Sequence, residues 1–299
     1  MTYEELLREL VDTDERFMIL TAENRAAIRN LPDQIGDRFI DTGITEQTMI
    51  GVSAGLALRG RIPVAHALAS FLTMRAFEFI RTDVGIADLP VKLVGGFSGF
   101  LSEANGPTHQ AIEDVSIMRG IPNVNVFCPA DEEDMMIGLR KVLESPKPFY
   151  IRYNNLKSVY KHSDDFEIGK AEVICEGKDV TMIVYGVLFR QAIEAKEILE
   201  KKGMSVGLIN LRTLKPIDEA AILKAAKNSK LLVTLEDHFI KGGLYTIVAE
   251  IFLRSKIMCE VLPVALMDKW FKPALINDVL EYEGFTGEKI TDRVLTMMK

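Results

Sequence analysis

The residues best suited to chemistry fall in three short stretches. "GITEQ" (43–47) places a lone carboxyl, Glu46, where an apolar, small-residue segment begins, "TMIGVSAGLAL". A carboxyl there can accept or donate a proton. An acidic first turn is also an ordinary helix start, with Thr45 in the capping position. "HALASFLTMRAF" carries His66, Phe71, Met74 and Arg75, and "SEANGPTHQAIED" carries Asn105 and His109. A histidine moves protons near neutral pH, and an arginine fork matches the oxygens of a terminal phosphate. Taken singly, each has a plain structural use: Phe71 in a core, Arg75 on a solvated helix face, His109 as a cap. Everything depends on whether the chain brings them together.

Short β-like runs alternate with helical patterns. "RFMILTA", "RFIDTG", "IPVAHAL", "VKLVGGFSG", "VNVFCPAD" and "PFYIRY" read as strands, with helical stretches at 45–58, 71–82, 110–119 and 131–143. Near-continuous apolar strands separated by helices are what a parallel sheet covered on both faces requires. The candidate stretches close strands or open helices, where open α/β sheets build their sites. A polar segment, "NNLKSVYKHSDDFEIGK", interrupts the pattern and carries His162, to which the sequence assigns no role. A second series follows: "DVTMIVYG", helix 188–202, "MSVGLINL", helix 217–227, "KLLVTLED", helix 243–255 and "CEVLPVALM". The expectation is two three-layer α/β domains with mainly parallel sheets, 1–155 and 175–299, joined by a linker over 156–174. Gly242 and Gly243 follow a strand and open a helix. Lacking a third glycine at dinucleotide spacing, they are expected to serve close packing more than anion binding.

Composition narrows the class. The 299 residues are 48% apolar and 26% charged, ordinary values for a globular chain of about two domains. Net charge is −7 with the signs interspersed, so no basic face argues for nucleic acid or a membrane surface. No apolar run reaches the ~18 residues of a membrane span, and "MTYEELLRELVDTDERF" reads as an acidic amphipathic helix, not a signal peptide. Cys128, Cys175 and Cys259 lie far apart in apolar runs, which argues against a disulfide scaffold or a zinc site. They point to buried thiols in a reducing cytoplasm. GxGxxG, GxxxxGK[ST] and GxSxG are absent, and no histidine pair has metal spacing.

Together, "RFIDTGITEQTMIGVSAGLALRGRIPVAHALASFLTMRAFEFIRTDV" and "GPTHQAIEDVSIMRGIPNVNVFCPAD" resemble the pyrimidine-binding domain of transketolase-type, thiamine-diphosphate-dependent enzymes. "VTMIVYG", "AIEAKEILEKKGMSVGLINLRTLKPID" and "LLVTLEDHFIKGGLYTIVAE" resemble the family's C-terminal domain, so the resemblance covers almost the whole chain in order. It implies a thiamine-diphosphate pyrimidine-binding fold followed by a transketolase C-terminal-like domain. In the family a separate domain, marked by GDG and a following asparagine, holds the cofactor's diphosphate through Mg²⁺. No GDG occurs here. The resemblance therefore implies the C-terminal subunit of a split transketolase. An N-terminal partner subunit would hold diphosphate and Mg²⁺ in an α2β2 assembly. The implied activity is transfer of a two-carbon ketol unit between sugars or sugar phosphates.

The resemblance also implies roles. Glu46 matches the glutamate that hydrogen-bonds the cofactor's aminopyrimidine, and Phe71 the aromatic that packs on that ring. Met74 falls where other transketolases have a second aromatic. His109 matches the active-site histidine near the substrate carbonyl, and His66 aligns with histidines of shorter relatives, which implies a place facing the cofactor or donor. Arg75 and Arg152, the latter in "FYIRYNN", fall where relatives place phosphate-binding arginines. Asn105 stands where an aspartate reads a sugar hydroxyl, Phe97 where a histidine is usual, and Glu23 where an aspartate is usual, without the threonine and serine that follow it. These departures leave donor and acceptor open. His238, in "EDHFIKGG", is expected to be structural or supporting at the domain interface. The β chain of a 2-oxo-acid or acetoin dehydrogenase shares the architecture, but "GPTHQAIED" and Arg75 fit the sugar branch better. A fused deoxyxylulose-phosphate synthase is disfavoured by the missing first half. A non-catalytic homologue is disfavoured because Glu46, Phe71 and His109 are all present.

Overall fold

In a computed structural model describing all 299 residues, twelve strands form two sheets. They are β1 (Phe17–Thr21), β2 (Phe39–Asp41), β3 (Ile62–Leu68), β4 (Lys92–Gly96), β5 (Asn125–Phe127), β6 (Phe149–Arg152), β7 (Glu172–Cys175), β8 (Val180–Val184), β9 (Val206–Asn210), β10 (Thr213–Lys215), β11 (Leu231–Phe239) and β12 (Glu260–Leu266). The first sheet runs β10-β5-β6-β4-β3-β1-β2 and the second β12-β11-β8-β9-β7. All pairings are parallel except β10 with β5 and β7 with β9, both at sheet edges. Strands such as β1 (FMILT) and β8 (VTMIV) are buried along their whole length, because helices cover both faces. The two three-layer α/β domains with mainly parallel sheets expected from the alternating apolar runs are thus present.

The N-terminal helix (Tyr3–Thr13) starts with a reciprocal capping box between Thr2 and Glu5 and buries Tyr3, Leu6, Leu7 and Leu10. Two further helices, Ile276–Glu283 and Gly287–Met297, place Leu280, Ile290 and Val294 in the core of the second sheet. β10 departs from the sequence pattern. It follows β9 but leaves the second sheet and pairs with β5, Thr213 opposite Phe127, so the first sheet's edge is covered from the other half of the chain. The largest apolar cluster also joins the halves, with Val115 and Met118 packed among Leu211, Leu214, Ile247 and Phe252.

Each sheet has a point from which the chain's connections run off in opposite directions. In the first it lies between β1 and β3, in the second between β8 and β11. The crevice outside the carboxyl ends of such strands is where open α/β sheets take ligands.

Candidate functional site

Helix Glu46–Leu58 opens just after β2, across a turn in which Gly43 takes a left-handed conformation and Asp41 accepts from its N–H at 2.9 Å. Thr45 does not cap the helix; its hydroxyl donates to Thr42 O at 2.7 Å. Glu46 is only 2% exposed. Its Oε2 accepts from Arg75 Nη1 at 2.9 Å, and Oε1 is left without a protein partner.

Arg75 reaches Glu46 because the chain after β3 forms a π-helical turn, Phe71–Arg75, closed by Ala76 N donating to Phe71 O at 3.3 Å. The same turn lays the Arg75 guanidinium over the Phe71 ring, 4.0 Å from its centroid. Phe71 in turn lies 5.0 Å from the imidazole of His109, tilted by 58°. His109 pairs through Nδ1 with the Thr108 hydroxyl at 2.9 Å. Glu46, Arg75, Phe71 and His109, from three separate stretches, thus form one continuous array: a carboxyl, a cation, an aromatic face and an imidazole.

Other candidates fall elsewhere. His66 is buried, its Nδ1 donating to Leu20 O at 3.1 Å and its Nε2 accepting from the Tyr3 hydroxyl at 2.7 Å. Burial brings its pKa down to about 4, so the ring is neutral. It lines a cavity of about 190 Å³ at the carboxyl ends of β1, β3, β4 and β6, together with Asn24, Phe97, Glu103, Tyr153 and Asn155. Asn105 is exposed at the end of a 3-10 segment, Gly99–Asn105. Met74 is half-buried and faces a groove with Phe77, Ser116 and Ile117.

Arg152 is a correction. Expected to meet a phosphate, its guanidinium is buried and already committed. Nε and Nη2 donate to Asp114 at 2.8 and 2.9 Å, and Nη1 donates to Asp237 at 2.6 Å. It lies 5.4 Å from the Tyr185 ring, between the two sheets. An arginine holding two buried carboxylates has no fork left for an anion.

Sequence reasoning also passed over a second buried cluster. His162 lies between Glu172 (2.7 Å) and Asp131 (3.1 Å), and Arg212 bridges Asp134 (2.6 Å) and Glu172 (3.2 Å). The carboxylates hold His162 protonated, up to about 10, against its desolvation. By residue type Asp134, His162 and Glu172 could ligate a metal, but the two cations fill the cluster and make it a staple between helix Glu132–Glu144 and β7. His238 is buried and neutral, pushed down to about 4 by desolvation. The group at the start of the helix following Gly243 is the protein's own carboxyl. Glu236 accepts from Leu244 N at 2.6 Å and Tyr245 N at 2.9 Å, burial pushes its pKa up to about 8, and a Cβ on Gly243 would overlap it.

Two parallel α/β domains sharing a core, with a carboxyl–aromatic–imidazole array at strand ends of the first, define a two-domain chain of the open-sheet α/β class. The chain belongs to the transketolase family: residues 1–158 match the transketolase pyrimidine-binding domain, and residues 169–290 match the transketolase C-terminal domain. It is 34% identical to a putative transketolase C-terminal section of Methanocaldococcus jannaschii, over 99% of this chain and 95% of that one. It is 35% identical to the 6-deoxy-6-sulfo-D-fructose transketolase subunit SqwH of a Clostridium species, over 97% and 91% of the two chains. A solved split gene transketolase, described as an inactive β4 tetramer, superposes with a TM-score of 0.88 at 33% identity, over 99% and 96% of the two chains. Family membership carries dependence on thiamine diphosphate. No helix is long and apolar enough to cross a membrane.

Proposed function

We propose that this chain is the C-terminal subunit of a two-chain, thiamine-diphosphate-dependent transketolase that moves a two-carbon ketol unit between sugars or sugar phosphates. The observation that carries the reading is the Glu46–Arg75–Phe71–His109 array. An aminopyrimidine fits these residues: Glu46 is sequestered but keeps one carboxyl oxygen without a protein partner, and Phe71 offers a half-buried aromatic face nearby. When bound, thiamine diphosphate would supply a carbon nucleophile for the ketol transfer.

This chain's own residues do the rest. Glu46 would hydrogen-bond the cofactor's pyrimidine ring nitrogen and share a proton there, in a setting where water does not compete. Phe71 supports the ring, and Met74 is the softer counterpart where relatives stack a second aromatic. His109 gives and takes a proton at the substrate carbonyl and the hydroxyl that develops from it. Arg75, which is 39% exposed, holds Glu46 in place and can turn a guanidinium to a substrate phosphate. His66, neutral in the wall of the 190 Å³ cavity, and Asn105 are assigned to the sugar side of the site. Diphosphate and Mg²⁺ are assigned to an N-terminal partner subunit in an α2β2 assembly, in the cytoplasm. The relatives described as a C-terminal section and as a transketolase subunit support that division.

The test mixes the chain with its N-terminal partner, thiamine diphosphate and Mg²⁺, and screens ketose donors against aldose acceptors. It also screens 2-oxo acids with an artificial electron acceptor. Ketol transfer that requires both chains supports the proposal. Oxidative decarboxylation, or full activity of either chain alone, overturns it.

A further inference from the structure

The loop that carries His109 starts from the first sheet, after β4, yet it is built into the second domain. Gly99 N donates to Ala111 O at 2.9 Å and closes the loop at its neck. Phe100 and Ile112, beside the neck, are fully buried members of the second domain's core. Phe100 packs edge-on against Phe271 and Phe285, at 5.3 and 4.9 Å. Polar contacts repeat the theme. Asp237 Oδ2 accepts from Phe100 N at 3.3 Å, Phe239 N donates to Ile112 O at 3.1 Å, and His238 Nε2 accepts from Ser116 N at 3.3 Å. Gln110, adjacent to His109 and buried, donates through Nε2 to Phe271 O at 2.9 Å. Approach at the neck is so close that a Cβ on Gly99, itself at φ 55°, would overlap the Asp237 carboxylate.

The place of these contacts matters. Asp237 and His238 lie near the carboxyl end of β11, beside β8, at the point where the second sheet's connections diverge. In an open α/β sheet that crevice is where a ligand binds. Here Arg152 and the neck of the His109 loop enter it from the first domain.

We propose that the second domain is a positioning element for His109: its ligand crevice grips the loop neck in place of a small molecule, and Gln110 carries that grip to the histidine. The proposal rests on His109 acting at the substrate carbonyl. Reaction rates fall steeply when a proton-transfer group is displaced by an ångström, so a rigid neck has a direct catalytic consequence. It also gives this domain, which contributes no group to the array, a task in the reaction.

Gln110→Leu removes the amide donor at similar volume and leaves His109 in place. Hydrogen exchange read by mass spectrometry on the full chain reports the grip without any chemistry. Residues 99–112 are expected to exchange about tenfold faster in the variant, with helix Glu132–Glu144 unchanged. In the two-chain enzyme, Gln110→Leu is expected to lower kcat about tenfold with donor KM within about twofold of wild type. The Gln110→Leu/His109→Ala double variant is expected to be no slower than His109→Ala. Unchanged exchange over 99–112 overturns the proposal whatever the kinetics, and so does a double variant whose losses multiply. Faster exchange together with a fully active His109→Ala enzyme leaves the grip standing and overturns the catalytic role of His109 instead.

Discussion

Two arginines expected to do the same work end in opposite surroundings. Arg75 makes one charge-assisted bond, to Glu46, and its other face lies on Phe71 with more than a third of the side chain in solvent. Arg152 spends its whole fork on Asp114 and Asp237 and is sealed between the domains. An exposed guanidinium can trade partners at small cost, because water repays what is lost. A buried one cannot, because each carboxylate it leaves stays desolvated and unpaired. The first arginine is suited to a site that must open to ligands, the second to a joint that must stay shut.

The sharpest way to break this contrast is at Glu46, whose pairing with the exchangeable arginine leaves it available. In the reconstituted enzyme, Glu46→Gln is expected to lower ketol transfer by about 10²- to 10⁴-fold, the usual scale for losing a positioned proton-transfer group. The melting temperature should stay within about 2 °C. Near-wild-type turnover would remove Glu46 from the mechanism. Arg152→Met probes the other member of the pair. It strands Asp114 and Asp237 and is expected to cost about 3–5 kcal/mol in urea unfolding, the scale for breaking a buried ion pair. A loss below about 1 kcal/mol would mean the joint is not held by charge.

A third test concerns the buried His162 cluster. Its folded pKa of about 10 lies above the ordinary ~6.5 of an unfolded histidine. The stability it contributes is therefore fully present below about pH 6.5 and is lost as the pH rises through about 10. Compared by urea unfolding at both pH values, His162→Gln should be much less stable than wild type at pH 6.5. The gap should narrow near pH 10. A constant gap would show that Asp131 and Glu172 do not hold the proton.

The same contrast separates what was legible in the sequence from what was not. The strands and most helices could be read because apolar runs and helical periods are local, and β1 to β6 fall on the runs that suggested them. The stretches holding Glu46, Phe71, Arg75 and His109 were legible because they end strands or open helices. Partners were not legible. Arg75 finds Glu46 across 29 residues only because a π-helical turn aims it. Arg152 meets Asp114 and Asp237 across 38 and 85 residues, distances at which "FYIRYNN" says nothing of neighbours. The segment around His162 lacks any period because long-range charge pairs order it. β10 is three residues long, too short for alternation to register.

The smallest expected effect belongs to Arg75, and it decides whether the open arginine is a ligand group or only a prop for Glu46. Arg75→Met keeps most of the packing on Phe71 and removes the charge. Only the arginine side of the pair is exposed and Glu46 is left buried without its partner, so the loss should cost about 1–3 kcal/mol of stability in urea unfolding, less than that of Arg152→Met. If Arg75 also meets a substrate phosphate, the KM of a phosphorylated acceptor should rise about tenfold, the scale of one charge-assisted hydrogen bond. The KM of the matching unphosphorylated aldose should be unchanged. Equal shifts for both acceptors would leave Arg75 as support for Glu46 alone. A stability loss as large as that of Arg152→Met would erase the distinction between the two arginines.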